Sequence, residues 1–323
     1  MEKTERYNSY ARYLKAKYGG KTYRIGVDAG FSCPNRGPDR RQSGCTYCDV
    51  DGSRSPYLGS LTDIGEQIRR GMDFLRSRYK ADRFILYFQA YTNTFAKAED
   101  LRTLYSYGLS LGDFKELVVS TRPDCLDPEI VDVLASFRSQ VQDVWVELGL
   151  QSAKEETLQR IRRGHGWIEF ERGFSLLRSR RIKVAVHLIF GLPGEGWEEI
   201  MQTIRYVAQC RPDGIKIHNL HIPFQAPLFQ EFLLGELSIP CAERHLEYVV
   251  KALELLPPET LIMRFTCDTP KDRLAFPRKF PDKATFLARL SQKLAQLDTW
   301  QGRLFDPSKP PEHTARFNFE GGR

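Results

Sequence analysis

The sequence predicts an α/β protein built as a partial (β/α)6 barrel of the TIM type, with a C-terminal accessory segment. Three observations lead there. Short β-rich runs alternate six times with longer helix-like segments, which is the grammar of parallel strands with crossover helices. One run, IKVAVHLIFG, is apolar almost throughout, as a strand covered on both faces must be. No GxGxxG follows the first strand, so a dinucleotide-binding sheet is not indicated.

In order, the strand candidates are TYRIGVDA, RFILYFQA, ELVVSTRP, DVWVELGL, IKVAVHLIFG, GIKIHNLHI and a less regular seventh, TLIMRFT. Helices are expected between them at 61–79, 97–111, 128–138, 155–163, 167–180 and 197–209. The organisation that follows is an N-terminal extension (1–20), the barrel (21–255) and a C-terminal strand, helix and tail (256–323). Proline pairs and the basic run KDRLAFPRKF mark that last segment as one that packs on the barrel or closes it.

A chain of 323 residues, 41% of them hydrophobic, can bury a large core as one domain. The opening MEKTERYNSYARYLKAKYGG lacks the apolar core of a signal peptide, and no later run approaches the roughly 20 apolar residues of a membrane span. A soluble, cytoplasmic protein with no membrane partner is expected. The net charge of +7 favours a polyanionic partner only where it is clustered.

Three of the seven cysteines crowd into DAGFSCPNRGPDRRQSGCTYCDVDGS after the first strand. Eleven residues separate Cys33 from Cys45, and two separate Cys45 from Cys48. Gly37, Gly44 and Gly52 would let backbone approach a cofactor without a Cβ clash. The residues alone leave three readings open. They are a four-iron cluster with one iron free for a ligand, a structural zinc site completed by a distant histidine, and a redox CxxC with Cys33 as bystander. The first histidine in the chain is His165, so no fourth zinc ligand lies in the loop.

The segments RYNSYARYLKAKYG, FSCPNR, GCTYC, YFQAYTNT, STRPDCL, ELGLQS, RRGH and HLIFGLPGE make the chain similar, from about Arg6 to Thr269, to a known family. It resembles the YhcC/YtqA-like family of radical S-adenosylmethionine (SAM) proteins, related to the radical SAM part of the Elongator catalytic subunit. The resemblance implies that Cys33, Cys45 and Cys48 hold a [4Fe-4S] cluster, with Tyr47 as the aromatic residue before the third cysteine. It also implies that SAM binds the open iron and that a flavodoxin or ferredoxin supplies an electron. Cleavage to methionine and a 5′-deoxyadenosyl radical would follow.

The remaining motifs fall at predicted strand ends, which converge on one face of a barrel. Gln89, Tyr91 and Asn93 occupy, by resemblance, the segment that meets the SAM amino group; an Asx-type turn is the alternative. Thr121 and Arg122 end the third strand, where the arginine suits a SAM or substrate carboxylate, or else a plain salt bridge. Glu147 and Gln151 share a face under strand alternation and suit ribose hydroxyls and adenine edges. Phe190 and Gly191 sit where HLIFGLPGE turns from strand to helix and could bring backbone to adenine. His187, His218, His221 and Cys267 carry no assigned role. Basic runs at 160–165 and 178–183, with Arg36, Arg40, Arg41 and Arg54 around the cysteine loop, raise tRNA as a partner if they border the mouth. The Elongator relationship makes wobble-uridine modification the expected reaction, with a small-molecule or protein substrate, or a zinc-stabilised RNA-binding protein, as alternatives.

Overall fold

The computed structural model describes residues 5–37, 39–49, 54–267 and 273–308. A helix, α1 (Tyr10–Tyr18), precedes the first strand, β1 (Tyr23–Val27). The repeat then runs α2 (Ile64–Tyr79), β2 (Phe84–Phe88), α3 (Ala98–Ser110), β3 (Phe114–Thr121), α4 (Pro128–Ser136) and β4 (Asp143–Gln151). It continues with α5 (Glu155–Arg160), α6 (Trp167–Ser179), β5 (Lys183–Phe190), α7 (Trp197–Cys210) and β6 (Gly214–Asn219). The chain ends in β7 (Ile222–Pro223), α8 (Leu228–Leu233), α9 (Ala242–Leu255), β8 (Leu261–Arg264), β9 (Leu274–Phe276) and α10 (Lys283–Gln296).

Seven parallel strands form one curled half-barrel sheet in the order β1-β2-β3-β4-β5-β6-β8, which confirms the predicted architecture. All seven strand candidates are strands, and the six expected helices lie within their predicted spans to about a residue. Alternation divides each strand between two cores. Outward residues such as Leu86, Leu117, Val146 and Val186 pack under the helices, while Ile85, Val118, Trp145 and Ala185 point into the barrel.

Two segments outside the six regular βα units complete the half-barrel. The N-terminal extension is α1, whose Tyr10 and Leu14 bury against the inward residues. Tyr10 and Tyr18 donate their hydroxyls to the two oxygens of buried Glu116 (2.5 and 2.8 Å). Lys17, Lys183 and Tyr13 converge on Asp143. Glu116 and Asp143 are register partners near the starts of their strands, so α1 stoppers the amino-terminal end. The C-terminal segment supplies the seventh strand: β8 pairs with β6, with a bulge that sets Arg264 opposite Lys216. A bulge re-aims a side chain at the point where the register slips.

The short antiparallel pair β7-β9 and α8 fold over the loops beyond β4 and β5, where Ile222 and Leu228 bury with Leu158, Ile161 and Leu192. Among the described residues no helix is long and apolar enough to cross a membrane. Gly52 and the tail from residue 309 onward lie outside the described residues.

Candidate functional site

Each of the three clustered cysteines, Cys33, Cys45 and Cys48, hangs from a turn at the carboxyl end of the strands. Cys33 opens a short turn, in which the Arg36 N–H returns to the Cys33 carbonyl (2.8 Å). The Cys48 N–H returns to the Cys45 carbonyl (3.0 Å). All three thiols line one cavity of about 490 Å³ in the mouth of the half-barrel.

The loop is stapled to the segment between α5 and α6. Asn35 Nδ2 reaches the carbonyls of Arg162 (2.7 Å) and Arg163 (3.0 Å), and the Thr46 N–H reaches the Ile161 carbonyl (3.0 Å). Gly164 has φ +76°, and a Cβ there would stand 2.6 Å from Asn35 Oδ1, so the RRGH motif needs its glycine for this contact. The motif is thus part of the cysteine loop's seat.

Donors surround the sulfurs. Asn35 Nδ2 (3.2 Å) and Arg163 Nη1 (3.7 Å) face Cys45 Sγ, and Arg122 Nη1 (3.7 Å) faces Cys33 Sγ. Burial, and then the neighbouring Cys45 and Cys33, push the Cys48 thiol up to about 11, against the pull of Arg36. Binding iron must therefore release protons, as thiolate ligation does generally. Arg163 also donates to the Gly149 carbonyl (2.7 Å), while its buried Nε has no partner among the described residues. Among the described residues no three His, Cys, Asp or Glu side chains are gathered closely enough to hold a single metal ion. A cubane asks for one thiolate on each of three irons, and three donor-backed sulfurs lining one cavity fit that demand.

Of the residues expected to contact SAM, Gln89, Tyr91, Thr121, Arg122 and Gln151 line the same cavity. Gln89 Oε1 accepts from Ser55 Oγ (3.4 Å), and Tyr91 lies under the Arg40 guanidinium, 4.0 Å from its ring centre. Thr121 Oγ1 meets Thr94 Oγ1 at 2.5 Å. Arg122 is buried and holds Asp124 through two hydrogen bonds (2.9 and 2.8 Å), so the expected salt bridge exists and presents the remaining Nη1 to Cys33. Burial works against ionising Asp124, yet Arg122 keeps it below the usual carboxylate range.

Four expected contacts do not line the cavity in this structure. Asn93 is buried and turns its Nδ2 to the Ser120 carbonyl (3.0 Å), tying the loop after β2 to β3. Phe190 is buried against His245 and Tyr248, and a Cβ on Gly191, at φ +87°, would meet Pro240 at 2.6 Å. Glu147 faces inward as alternation requires, but both its oxygens are occupied. Arg24 (2.5 Å) takes one; Tyr87 (2.5 Å), His187 (3.0 Å) and Lys216 share the other. The expected Glu147–Gln151 pair is thereby split. A bulge between Gly149 and Gln151, which has φ +77°, carries the glutamine to the cavity and leaves the glutamate beneath the floor.

Glu147 is held well below the usual carboxylate range: burial opposes its charge, but Lys216 and then Arg24 outweigh it. Burial and then Lys216 push His187 down to about 4, so it is neutral at physiological pH. His187, Lys216 and Arg264 occupy matched register positions on β5, β6 and β8, one row across the floor. His221 and Cys267 meet at the rim, Nδ1 to Sγ 2.6 Å.

A sequence profile of the radical SAM superfamily matches residues 33–207, and one of a radical SAM C-terminal domain matches 212–296. This chain belongs to the radical SAM superfamily. Members use a [4Fe-4S] cluster and SAM, so this radical SAM enzyme takes both, with Cys33, Cys45 and Cys48 the thiols that fit the cluster.

The radical SAM chain is 35% identical over 307 residues to YhcC of Escherichia coli strain K12, covering 94% of this chain and 97% of that one. It is 34% identical over 302 residues to YtqA of Bacillus subtilis, covering 93% of each. A weaker likeness, 28% over 158 residues, links it to a tRNA uridine(34) acetyltransferase of Methanocaldococcus infernus, covering 48% of this chain and 28% of that one. The solved structure of M. infernus Elp3 with an N-terminal deletion superposes with a TM-score of 0.69 at 18% identity, covering 87% of this chain and 64% of that one. That likeness establishes the shared fold.

The sequence reading of this radical SAM protein missed Arg24, Tyr87, Lys216 and Arg264, which line the cavity. A signal was present: each is a polar residue inside an otherwise apolar strand, the position where an unpaired side chain is most costly.

Proposed function

We propose that this radical SAM enzyme acts in the cytoplasm on tRNA, at a wobble uridine, with a flavodoxin or ferredoxin as reductant. When bound, the cluster and SAM supply a reductive cleavage that yields methionine and a hydrogen-abstracting 5′-deoxyadenosyl radical. The observation that carries the proposal is the set of three thiols at one cavity mouth, each beside an arginine: Arg122, Arg163 or Arg36. The chain's own groups hold the cysteine loop through Asn35, back the sulfurs with N–H donors and brace the loop from α8, whose Leu228 N–H reaches the Thr46 carbonyl (3.0 Å).

The tRNA assignment draws on the likeness to the uridine(34) acetyltransferase and on Arg36, Arg54 and Arg273 at the mouth. The second basic run adds nothing to it. Arg178 pairs with Asp213 and Arg180 with Asp132 on exposed helix surface, and Lys183 lies at the stoppered end. A cavity of about 490 Å³ is also large enough for a whole small molecule, which supports a small-molecule substrate as the second reading.

Two measurements test these readings. Anaerobic reconstitution should give about four irons per chain and 5′-deoxyadenosine from SAM under reduction. Nucleoside profiles of bulk tRNA from cells with and without the gene should then differ at a modified uridine. Identical profiles, with SAM cleavage intact, would remove tRNA and leave the small-molecule reading.

A further inference from the structure

The cations lining the cavity are nearly all spoken for. Arg24 and Lys216 pair with Glu147, Arg54 with Asp28, Arg122 with Asp124 and Arg273 with Asp49. Arg163 and Arg36 bond to backbone carbonyls and face cysteines. Arg264 is the exception. Among the described residues its guanidinium makes no hydrogen bond, ion pair or ring contact, although it lines the cavity and the bulge in β8 aims it there.

A second observation lies on the neighbouring strand. His218 also lines the cavity, and its Nε2 is buried without a hydrogen-bond partner among the described residues. A buried polar nitrogen left unpaired is destabilising unless a ligand completes it. Arg264 is close enough to His218 for its charge to be, after burial, the strongest influence disfavouring a charged imidazole. An anion between the two would satisfy the guanidinium, accept from Nε2–H and relieve that repulsion. The floor beneath cannot serve as the counter-charge, because Glu147 is already shared by Arg24, Tyr87, His187 and Lys216.

We infer that Arg264 and His218 form an oxyanion subsite of the reaction cavity, which receives a phosphate or carboxylate group of the substrate. The inference rests on the radical SAM reading of this cavity. The planar fork of arginine matches either oxyanion, and Arg264, exposed at the cavity, can meet one without breaking an ion pair among the described residues. The subsite is separate from the cysteine loop: it stands on β6 and β8, whereas the cysteines follow β1.

The test is calorimetric titration of the anaerobically reconstituted enzyme with inorganic phosphate and, separately, with malonate. The two arms tell a phosphate site from a carboxylate site, and binding of either supports the subsite. Arg264→Gln should weaken binding about tenfold or more, Arg264→Lys less, and Arg172→Gln, on the exposed face of α6, not at all. Saturation with SAM should leave anion binding in place. Mass mapping of phenylglyoxal adducts on the unmodified chain gives an independent readout, in which phosphate or malonate should protect Arg264. Anions that bind neither form, that bind Arg264→Gln as well as the native chain, or that SAM displaces would overturn the inference. Iron content and 5′-deoxyadenosine yield on the same samples separate the two failures. Intact SAM cleavage without anion binding overturns the subsite alone, whereas absent iron and absent cleavage overturn the reading on which it rests.

Discussion

The two ends of the half-barrel are built from similar residues to opposite effect. At the amino-terminal end, Glu116 and Asp143 lie inside the barrel and five side chains are turned on them: two tyrosines of α1 on the first, and Tyr13, Lys17 and Lys183 on the second. At the carboxyl end, Arg264 and the Nε2 of His218 have no partner among the described residues, and three thiols share a cavity with arginines beside them. Polar groups that complete one another hold a fold together. Polar groups left incomplete are an arrangement the fold tolerates, and they mark where a ligand must supply the missing half.

The sharpest way to break this comparison is at the mouth. Cys45→Ala should abolish iron loading and 5′-deoxyadenosine formation while leaving the unfolding transition nearly unchanged, measured by iron content, product assay and denaturant titration. An intact cluster in that variant would refute the site. Next in size is the floor between the two ends. Glu147→Gln leaves Arg24 and Lys216 buried without their counter-charge, and should cost about 3–5 kcal/mol of unfolding free energy in denaturant titration. A loss below about 1 kcal/mol would mean that the floor is not the charge hub described here.

At the stoppered end, Glu116→Ala orphans the hydroxyls of Tyr10 and Tyr18 and should cost about 2–3 kcal/mol, with SAM cleavage unaltered in native conditions. Altered cleavage at unchanged stability would show the two ends to be coupled. Asn35→Ala removes the staple between the cysteine loop and the RRGH segment, and should weaken iron retention against a chelator about tenfold.

The smallest effect concerns acid. Burial holds His245 down to about 4, even though its Nε2 bonds the Phe265 carbonyl (2.7 Å). Its unfolded value is near 6.5, so its stabilising contribution is complete above about pH 6.5 and is lost as the pH falls toward 4. The loss by pH 5.5 is about 1 kcal/mol, and His245→Phe should flatten that part of the stability profile. If the acid slope survives in His245→Phe, it belongs instead to the other histidines that burial holds low, His165, His187, His218 and His221.

Much of this was legible beforehand. Parallel strands buried on both faces leave near-continuous apolar runs, and all seven were visible, as was the cysteine loop with the RRGH and STRPDC segments that seat it. Glu147 was visible as a polar residue facing inward, but its partners were not, because they come from β1, β2, β5 and β6. Asn93, Phe190 and Gly191 stand at strand ends as expected. Whether such a residue opens onto a cavity or braces a neighbouring strand turns on side-chain direction, which spacing does not encode.

The sequence by itself determined the half-barrel and the place of the three cysteines after its first strand, which depend on periodicity and local spacing, while its eight motif segments carried the resemblance to the radical SAM family. Only the tertiary structure decided which end of the barrel α1 closes, that Glu147 lies beneath the floor and that Arg264 and His218 line the same cavity. The physical reason is that charge pairing is a property of the folded interior. It depends on which strands lie side by side and where a bulge shifts their register, and residues as far apart in sequence as Arg24 and Glu147 meet only there.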